Sequence, residues 1–123
     1  MAKKLPRYLK EYYTSGGCFL LAWALSSVAG RDDDEETILL CWDDTSGEKD
    51  ALHAAYRDDN YAVDANGRTP LAEFVRLCSE DGWRVTKQSR RDLEVGGYVD
   101  PNDLESVEEA KQVVADYPEL FLG

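Results

Sequence analysis

Three residues of this chain have the side-chain types that nucleophilic cysteine chemistry requires: Cys18, His53 and Asp64. Such chemistry needs a thiolate, a base that holds or takes its proton, and a third group that fixes the tautomer of the base. His53 is the only histidine in the sequence, so it is the one candidate for that base. The elements that carry the three residues must therefore bring them together.

Cys18 lies at the predicted start of a buried helix. It follows the pair Gly16-Gly17, and the stretch 18–29 is apolar almost all round. This pattern is typical of a helix packed on several sides, so we expect it to be the central helix of the core. Free N–H groups and the positive end of the helix dipole stabilise a thiolate at such a position.

His53 and Asp64 belong to two predicted strands of one antiparallel hairpin. A two-residue loop, Asp59-Asn60, would place Arg57 opposite Ala62 and would put His53 and Asp64 on one face as diagonal neighbours. A loop of three residues would turn Asp64 to the opposite face, because a slip of one residue reverses every side chain. The predicted triad therefore depends on the hairpin register.

The other elements follow from apolar periodicity and turn residues. We predict α+β architecture, with the central helix packed on a small antiparallel sheet. A solvated loop is expected over the charge run 31–36 and a turn over 43–50. The predicted strands are a buried strand at 37–42, hairpin strands at 52–57 and 61–64 followed by a second turn at Asn66-Gly67, and a strand at 83–87. One helix is predicted to begin at Thr69-Pro70 and to stop at Gly82, and a break is predicted at Gly96-Gly97. A last helix is predicted to begin with a capping box at Ser106 and Glu109 and to end at Pro118.

Composition limits the class of protein. At 123 residues the chain suits one domain, and its net charge of −11 argues against direct nucleic-acid binding. The cysteine count is odd, which suits a reducing, cytoplasmic location; Cys41 and Cys78 lie in apolar stretches and are expected to be structural. We expect no membrane span, no metal site and no cofactor. A secretory signal within the first thirty residues is an alternative, and its cleavage would remove Cys18.

The order of these features resembles the papain-like cysteine hydrolases, including NlpC/P60 and transglutaminase-like proteins. In that superfamily a cysteine begins a buried helix, and a histidine strand and an acid-bearing strand follow. The stretch 53–67 is similar to the histidine-to-acid hairpin of small bacterial and phage members, and Gly16-Gly17-Cys18 is similar to their nucleophile turn. The resemblance implies a papain-like core over about residues 8–90, with a C-terminal helical segment at about 101–117.

The resemblance also implies roles for the residues that match. Cys18 would be the nucleophile, His53 the general base and acid, and Asp64 the orienting carboxylate in hydrolysis or acyl transfer at an amide bond of a protein or peptide. Papain-like enzymes usually place an oxyanion-binding glutamine upstream, where this chain has Tyr12, Tyr13 and Thr14. A tyrosine hydroxyl, together with the backbone N–H of Cys18, is the expected substitute.

A different class of function is also open. The chain could be a small, catalytically inactive inhibitor from a phage or mobile element, built on the same scaffold and binding a basic host protein. Its contact surface would be acidic, and binding would weaken as salt rises. The residues expected to form that surface are Asp32, Asp33, Asp34, Glu35, Glu36, Asp43 and Asp44.

Overall fold

A computed structural model describes residues 4–43 and 50–122 of the chain. Its strands form one antiparallel sheet of five strands in the order β4-β3-β2-β1-β5, which confirms the predicted α+β class. In chain order, the elements are α1 (Arg7–Tyr13), α2 (Cys18–Val28), β1 (Ile38–Asp43), β2 (His53–Asp58), β3 (Tyr61–Asp64), β4 (Gly67–Pro70), α3 (Leu71–Glu80), β5 (Trp83–Gln88), α4 (Arg90–Val95), α5 (Leu104–Asp116) and α6 (Pro118–Phe121).

Both faces of the sheet are covered by helices. Successive side chains of a strand point to opposite faces, and β1 follows this rule with apolar residues on both. Ile38 and Leu40 belong to the larger apolar cluster, which includes residues of α2 and α5. Leu39 and Cys41 belong to a smaller cluster, which includes residues of α3. The sheet therefore separates a thick core, formed by the larger cluster on the α2 side, from a thin core, formed by the smaller cluster on the α3 side.

Helix α2 is the central core helix, as predicted. Its residues Leu21 to Ser26 are all buried, because the helix lies between the sheet and α5. The one polar member of that stretch, Ser26, shares a hydrogen bond of 2.7 Å with the buried hydroxyl of Thr37. A buried hydroxyl without such a partner would carry a desolvation cost, so this bond makes the position compatible with the core.

The hairpin of β2 and β3 has the two-residue loop on which the predicted site depends. Arg57 pairs with Ala62 and Asp58 with Tyr61, which leaves Asp59 and Asn60 as the loop. Asp59 has a φ of 50°, a left-handed conformation that aspartate tolerates better than most residues. The register is therefore the one that places His53 and Asp64 on the same face.

Two predicted helix starts are wrong. Thr69 does not cap α3; it pairs with Ala62 in β4, a short strand absent from the sequence prediction, and the helix begins at Leu71. Ser106 does not open α5 either. That helix begins two residues earlier, and the Asp103 carboxylate accepts a hydrogen bond from the Ser106 backbone N–H.

Three further helices and one turn complete the comparison with the sequence prediction. Helices α1, α4 and α6 were not predicted, although α4 begins with a capping box formed by Ser89 and Asp92. Pro118 follows the end of α5 but also begins α6, so α5 is not the last helix. The charge run 31–36 forms no helix or strand, as expected. Of the turn predicted at 43–50, Asp43 is the last residue of β1, and 44–49 lie outside the described residues.

The positive φ of Asp59 can be tested by substitution. We expect Asp59→Val to lower the free energy of unfolding by roughly 1–2 kcal/mol, because a β-branched residue is strained in the left-handed region. Asp59→Gly is the matched control, since glycine adopts this conformation without strain. Urea denaturation measures both effects. Equal losses in the two variants would contradict the assigned loop conformation.

Candidate active site

A histidine and a carboxylate meet at one end of the sheet. His53 is the first residue of β2 and Asp64 the last of β3, and His53 Nε2 lies 3.0 Å from Asp64 Oδ2. Both side chains are largely buried, at 15% and 13% exposure. The second oxygen of Asp64 accepts a hydrogen bond of 2.9 Å from the Asn66 backbone N–H. These two contacts fix the carboxylate against the imidazole ring.

Cys18 lies near the same histidine, although the helix that carries it packs on the opposite face of the sheet. His53 lies opposite Cys41 in the ladder, so it shares the face that α3 covers, whereas α2 belongs to the other core. Cys18 is the first residue of α2, and its thiol lies close enough to the His53 side chain to raise the pKa of the imidazole. Because Asp64 occupies Nε2, Nδ1 is the ring nitrogen that remains for another partner. The thiol, the imidazole and the carboxylate therefore form one cluster.

The surroundings of His53 favour its charged form. Burial lowers the pKa of the imidazole, but hydrogen bonds with Asp64 and Cys18 outweigh this effect and raise the pKa to about 9. A cysteine beside a protonated histidine is stabilised as a thiolate, the form that attacks carbon. The imidazole of His53 is therefore protonated at neutral pH beside the Cys18 thiol.

The raised pKa of His53 can be measured directly, because this is the only histidine in the chain. We expect its NMR titration to have a midpoint near 9 in the folded protein, and Asp64→Asn to lower that midpoint by more than one pH unit. Asp81→Asn is the charge-matched control, since it leaves the His53–Asp64 contact in place. A midpoint near 6.5 that Asp64→Asn does not move would contradict the geometry.

The same shift predicts how stability depends on pH. The folded-state pKa of about 9 lies above the ordinary value of about 6.5, so the folded protein binds the proton more tightly than the unfolded chain. The resulting stabilisation is fully present below about pH 6.5 and is lost as the pH rises through 9. We expect urea denaturation to detect this loss in the wild type, and a smaller one in His53→Gln.

A cleft lies beside the imidazole and carboxylate. Its volume is about 380 Å³, and His53 and Asp64 form part of its lining. The rest of the wall is mostly apolar and comes from α3 and β5, and the polar lining residues lie in turns and in β4. The other lining residues were not assigned to the site from the sequence: they are Thr14, Asn66, Thr69, Phe74, Leu77, Cys78, Asp81 and Trp83.

Cys18 itself does not form part of that lining. Its exposure is only 1%, and its backbone N–H donates a hydrogen bond of 3.2 Å to the Ser15 carbonyl. The expected use of this N–H for an oxyanion would therefore require its release from Ser15. Thr14 is the residue of the preceding turn that lines the cleft, and its hydroxyl donates to the Lys10 carbonyl at 2.7 Å.

The two predicted oxyanion-binding tyrosines do not lie in the cleft. Tyr13 is 2% exposed, and burial raises the pKa of its phenol to about 12, together with the nearby Tyr12 and Glu109. Tyr12 is half exposed and lines a separate, smaller cleft with Gly16 and Gly17. Neither ring lines the His53 cleft, and the helix α1 that carries both was not predicted from the sequence.

The glycine pair before Cys18 contains one residue that the packing requires. A Cβ at Gly17 would lie 2.6 Å from the Tyr12 ring and 2.8 Å from the Tyr12 carbonyl oxygen. A Cβ at Gly16 would meet no atom within 4 Å. Only Gly17 therefore permits the close contact between α1 and the start of α2.

This difference gives a matched pair of variants. We expect Gly17→Ala to lower the free energy of unfolding by roughly 1–3 kcal/mol, because the added methyl group overlaps a backbone atom as well as a ring. Gly16→Ala is expected to remain close to the wild type. Thermal or urea denaturation provides the comparison, and equal stability of the two variants would overturn the assigned packing.

The predicted acidic surface is partly neutralised by internal ion pairs. Asp33 binds Arg90 at 2.9 Å, and Asp34 binds Arg91 at 2.6 Å. Glu35 pairs with Arg31 of the same loop. The other acids expected to form this surface have separate positions: Asp32 and Glu36 lie in the exposed loop, Asp43 ends β1, and Asp44 lies outside the described residues.

Comparisons with protein-family models, with curated proteins and with solved structures found no match for this chain. Among residues 4–43 and 50–122, no cluster of three or more His, Cys, Asp or Glu side chains is placed to hold a metal ion. The helices in this described part of the chain are all too short or too polar to cross a membrane. The geometry of Cys18, His53 and Asp64 is therefore the basis for any functional assignment.

Proposed function

We propose that this protein is a cysteine-dependent acyl-transfer enzyme of papain-like type that acts on amide bonds. One observation carries the proposal: the His53 side chain interacts with the Cys18 thiol and also with the Asp64 carboxylate, which lies 3.0 Å from Nε2. A thiol buried among apolar groups alone would be inert. A thiol beside an imidazole that a carboxylate orients has the partner it needs to act as a nucleophile.

The first half-reaction uses the thiolate–imidazolium pair. The Cys18 sulfur attacks the amide carbonyl carbon, and the C=O electron pair moves onto oxygen. When the carbonyl re-forms, the C–N bond breaks and the His53 imidazolium gives its proton to the leaving nitrogen. An amine departs, and the acyl group remains on Cys18 as a thioester.

The second half-reaction returns the enzyme to its starting state. Neutral His53 takes a proton from water or from an acceptor amine, which attacks the thioester carbonyl. The C–S bond then breaks, and the proton on His53 restores the pair with the released thiolate. Asp64 keeps the ring orientation fixed through Nε2 in both steps, which makes it a positioning residue.

Substrate access is expected to follow from the cleft beside His53. Its apolar wall, formed by Phe74, Leu77 and Trp83, suits a side chain next to the scissile amide. Cys18 lies behind this cleft, so the turn that contains Thr14 and Ser15 must shift when substrate binds. The same shift would release the Cys18 N–H from the Ser15 carbonyl and allow it to bind the oxyanion.

The alternative function, an acidic inhibitor of a basic protein, has no specific contact in its favour. Three of its expected contact residues, Asp33, Asp34 and Glu35, already form ion pairs with arginines of this chain. Their charges are therefore partly neutralised for an external partner. The interaction function stays a prediction from composition and charge.

Alkylation of the three cysteines tests the enzymatic proposal. A small reagent such as iodoacetamide is applied over a pH series, and the rate at each cysteine is read by mass spectrometry. We expect Cys18 to react fastest near neutral pH, because an ordinary thiol with a pKa of about 8.5 is only about 3% ionised at pH 7. His53→Ala should therefore lower the alkylation rate of Cys18 by up to about thirtyfold at that pH.

The controls separate activation from mere accessibility. Asp64→Asn should lower the alkylation rate of Cys18, as His53→Ala does. Asp81→Asn also removes a carboxylate from the cleft but should leave that rate unchanged. Near-ultraviolet circular dichroism checks that each variant is folded. If Cys18 reacts no faster than Cys41 and Cys78, and its rate does not respond to His53→Ala, the catalytic proposal fails.

A further inference from the structure

Two cysteines from different elements are in contact beside the cleft. Cys41 Sγ of β1 lies 3.8 Å from Cys78 Sγ of α3, and both are free thiols. They are 37 positions apart in the sequence, so the contact depends on the tertiary fold. Neither has a role in the proposed acyl transfer, and both were expected to be merely structural.

The neighbours of these sulfur atoms include small side chains. A disulfide bond is about 2.05 Å long, so the gap must close by somewhat under ~2 Å. On the β2 and β3 strands, the smaller core around the pair contains only alanines, Ala55 and Ala62. Helix α3 contributes only two buried side chains to this core, Phe74 and Cys78. The approach of the two sulfur atoms therefore requires a small movement of α3, which few buried side chains oppose, together with rotation of the two side chains.

The cleft gives an oxidant access to one of the two thiols. Cys78 lines the cleft wall, whereas Cys41 is completely buried behind it, opposite His53 in the sheet. A small peroxide that enters the cleft meets Cys78 first. Cys41 is then the nearest thiol that can react with the oxidised sulfur.

We propose that Cys41 and Cys78 form an oxidisable dithiol that hydrogen peroxide converts into an intramolecular disulfide at the wall of the cleft. The Cys78 sulfur attacks one peroxide oxygen, the O–O bond breaks, and the departing hydroxide takes the thiol proton and leaves as water. This gives a sulfenic acid on Cys78. The Cys41 sulfur then attacks the Cys78 sulfur, the S–O bond breaks, and the hydroxide leaves as water with the Cys41 proton. The two thiols lose two electrons, and the peroxide gains them.

Burial determines how the rate of this oxidation depends on pH. It raises the pKa of both thiols, and the neighbouring thiol further raises that of Cys41, so the reactive thiolate is scarce at neutral pH. The reaction should therefore be slow at pH 7 and faster as the pH rises. Once formed, the disulfide closes a loop of nearly forty residues, which restricts the unfolded chain and should raise the Tm by roughly 5–15 °C.

The experiment treats the full-length wild type with hydrogen peroxide at pH 7 and at pH 8.5, blocks the remaining thiols with N-ethylmaleimide, and measures the intact mass and the peptide map. The expected product contains a peptide cross-link between Cys41 and Cys78 and has lost the two hydrogen atoms of these thiols, whether Cys18 carries a maleimide or has itself been oxidised. This product should form roughly twenty to thirty times faster at pH 8.5 than at pH 7, because the fraction of thiolate rises almost tenfold per pH unit below the thiol pKa. Its Tm should fall back on reduction with dithiothreitol.

Single cysteine variants supply the controls. Cys18→Ser should still form the cross-link, whereas Cys41→Ser and Cys78→Ser should not form an intramolecular disulfide. A cross-link that joins Cys18 to either cysteine, or peroxide products that carry only added oxygen, would overturn the proposal. The wild-type peptide map decides the question even where a variant does not fold, and it does not depend on the proposed acyl-transfer function.

Discussion

The two-residue loop between β2 and β3 determines which side chains of the hairpin share a face, and the candidate site depends on it. Because Asp58 pairs with Tyr61, only Asp59 and Asn60 remain in the loop, and His53 and Asp64 point to the same side. A slip of one residue would send the carboxylate to the α2 side of the sheet. His53 would then lose the hydrogen bond to Asp64 that raises its pKa, and the effect of burial, which lowers the pKa, would be opposed by Cys18 alone.

The sheet also explains how a residue of one core can meet a residue of the other. The imidazole belongs to the thin α3 side, while α2 packs on the thick side with α5. Cys18 and His53 lie close together because each is the first residue of its element. A cysteine one turn further along α2 would lie inside the thick core. Position within the element is therefore as important here as residue type.

The elements that were predicted correctly are those that a short stretch of sequence specifies. The apolar run of α2, the turn residues of the hairpin and the β-rich segments of β1 and β5 each specify their structure within a short window, and these elements were found. The positions of Tyr12 and Tyr13 could not be found in this way, because they depend on how α1 packs against Gly17. The cleft was missed for the same reason: its walls come from α3 and β5, which approach His53 only through tertiary packing. The capping box of α4, by contrast, is a local signal that could have been recognised.

Contact with His53 favours burial of Cys18, whereas attack on a substrate requires its sulfur atom to be accessible. Burial at the start of α2 protects its contact with His53, but it also keeps the sulfur behind the cleft and its N–H on the Ser15 carbonyl. A substrate carbonyl oxygen that took this N–H would replace one acceptor by another, while the freed Ser15 carbonyl would turn towards solvent. The number of satisfied hydrogen bonds then stays the same, so the free-energy cost of opening comes mainly from lost packing between the turn and its neighbours. Contact of the Cys18 thiol with His53 and burial of its sulfur atom are therefore compatible in one structure.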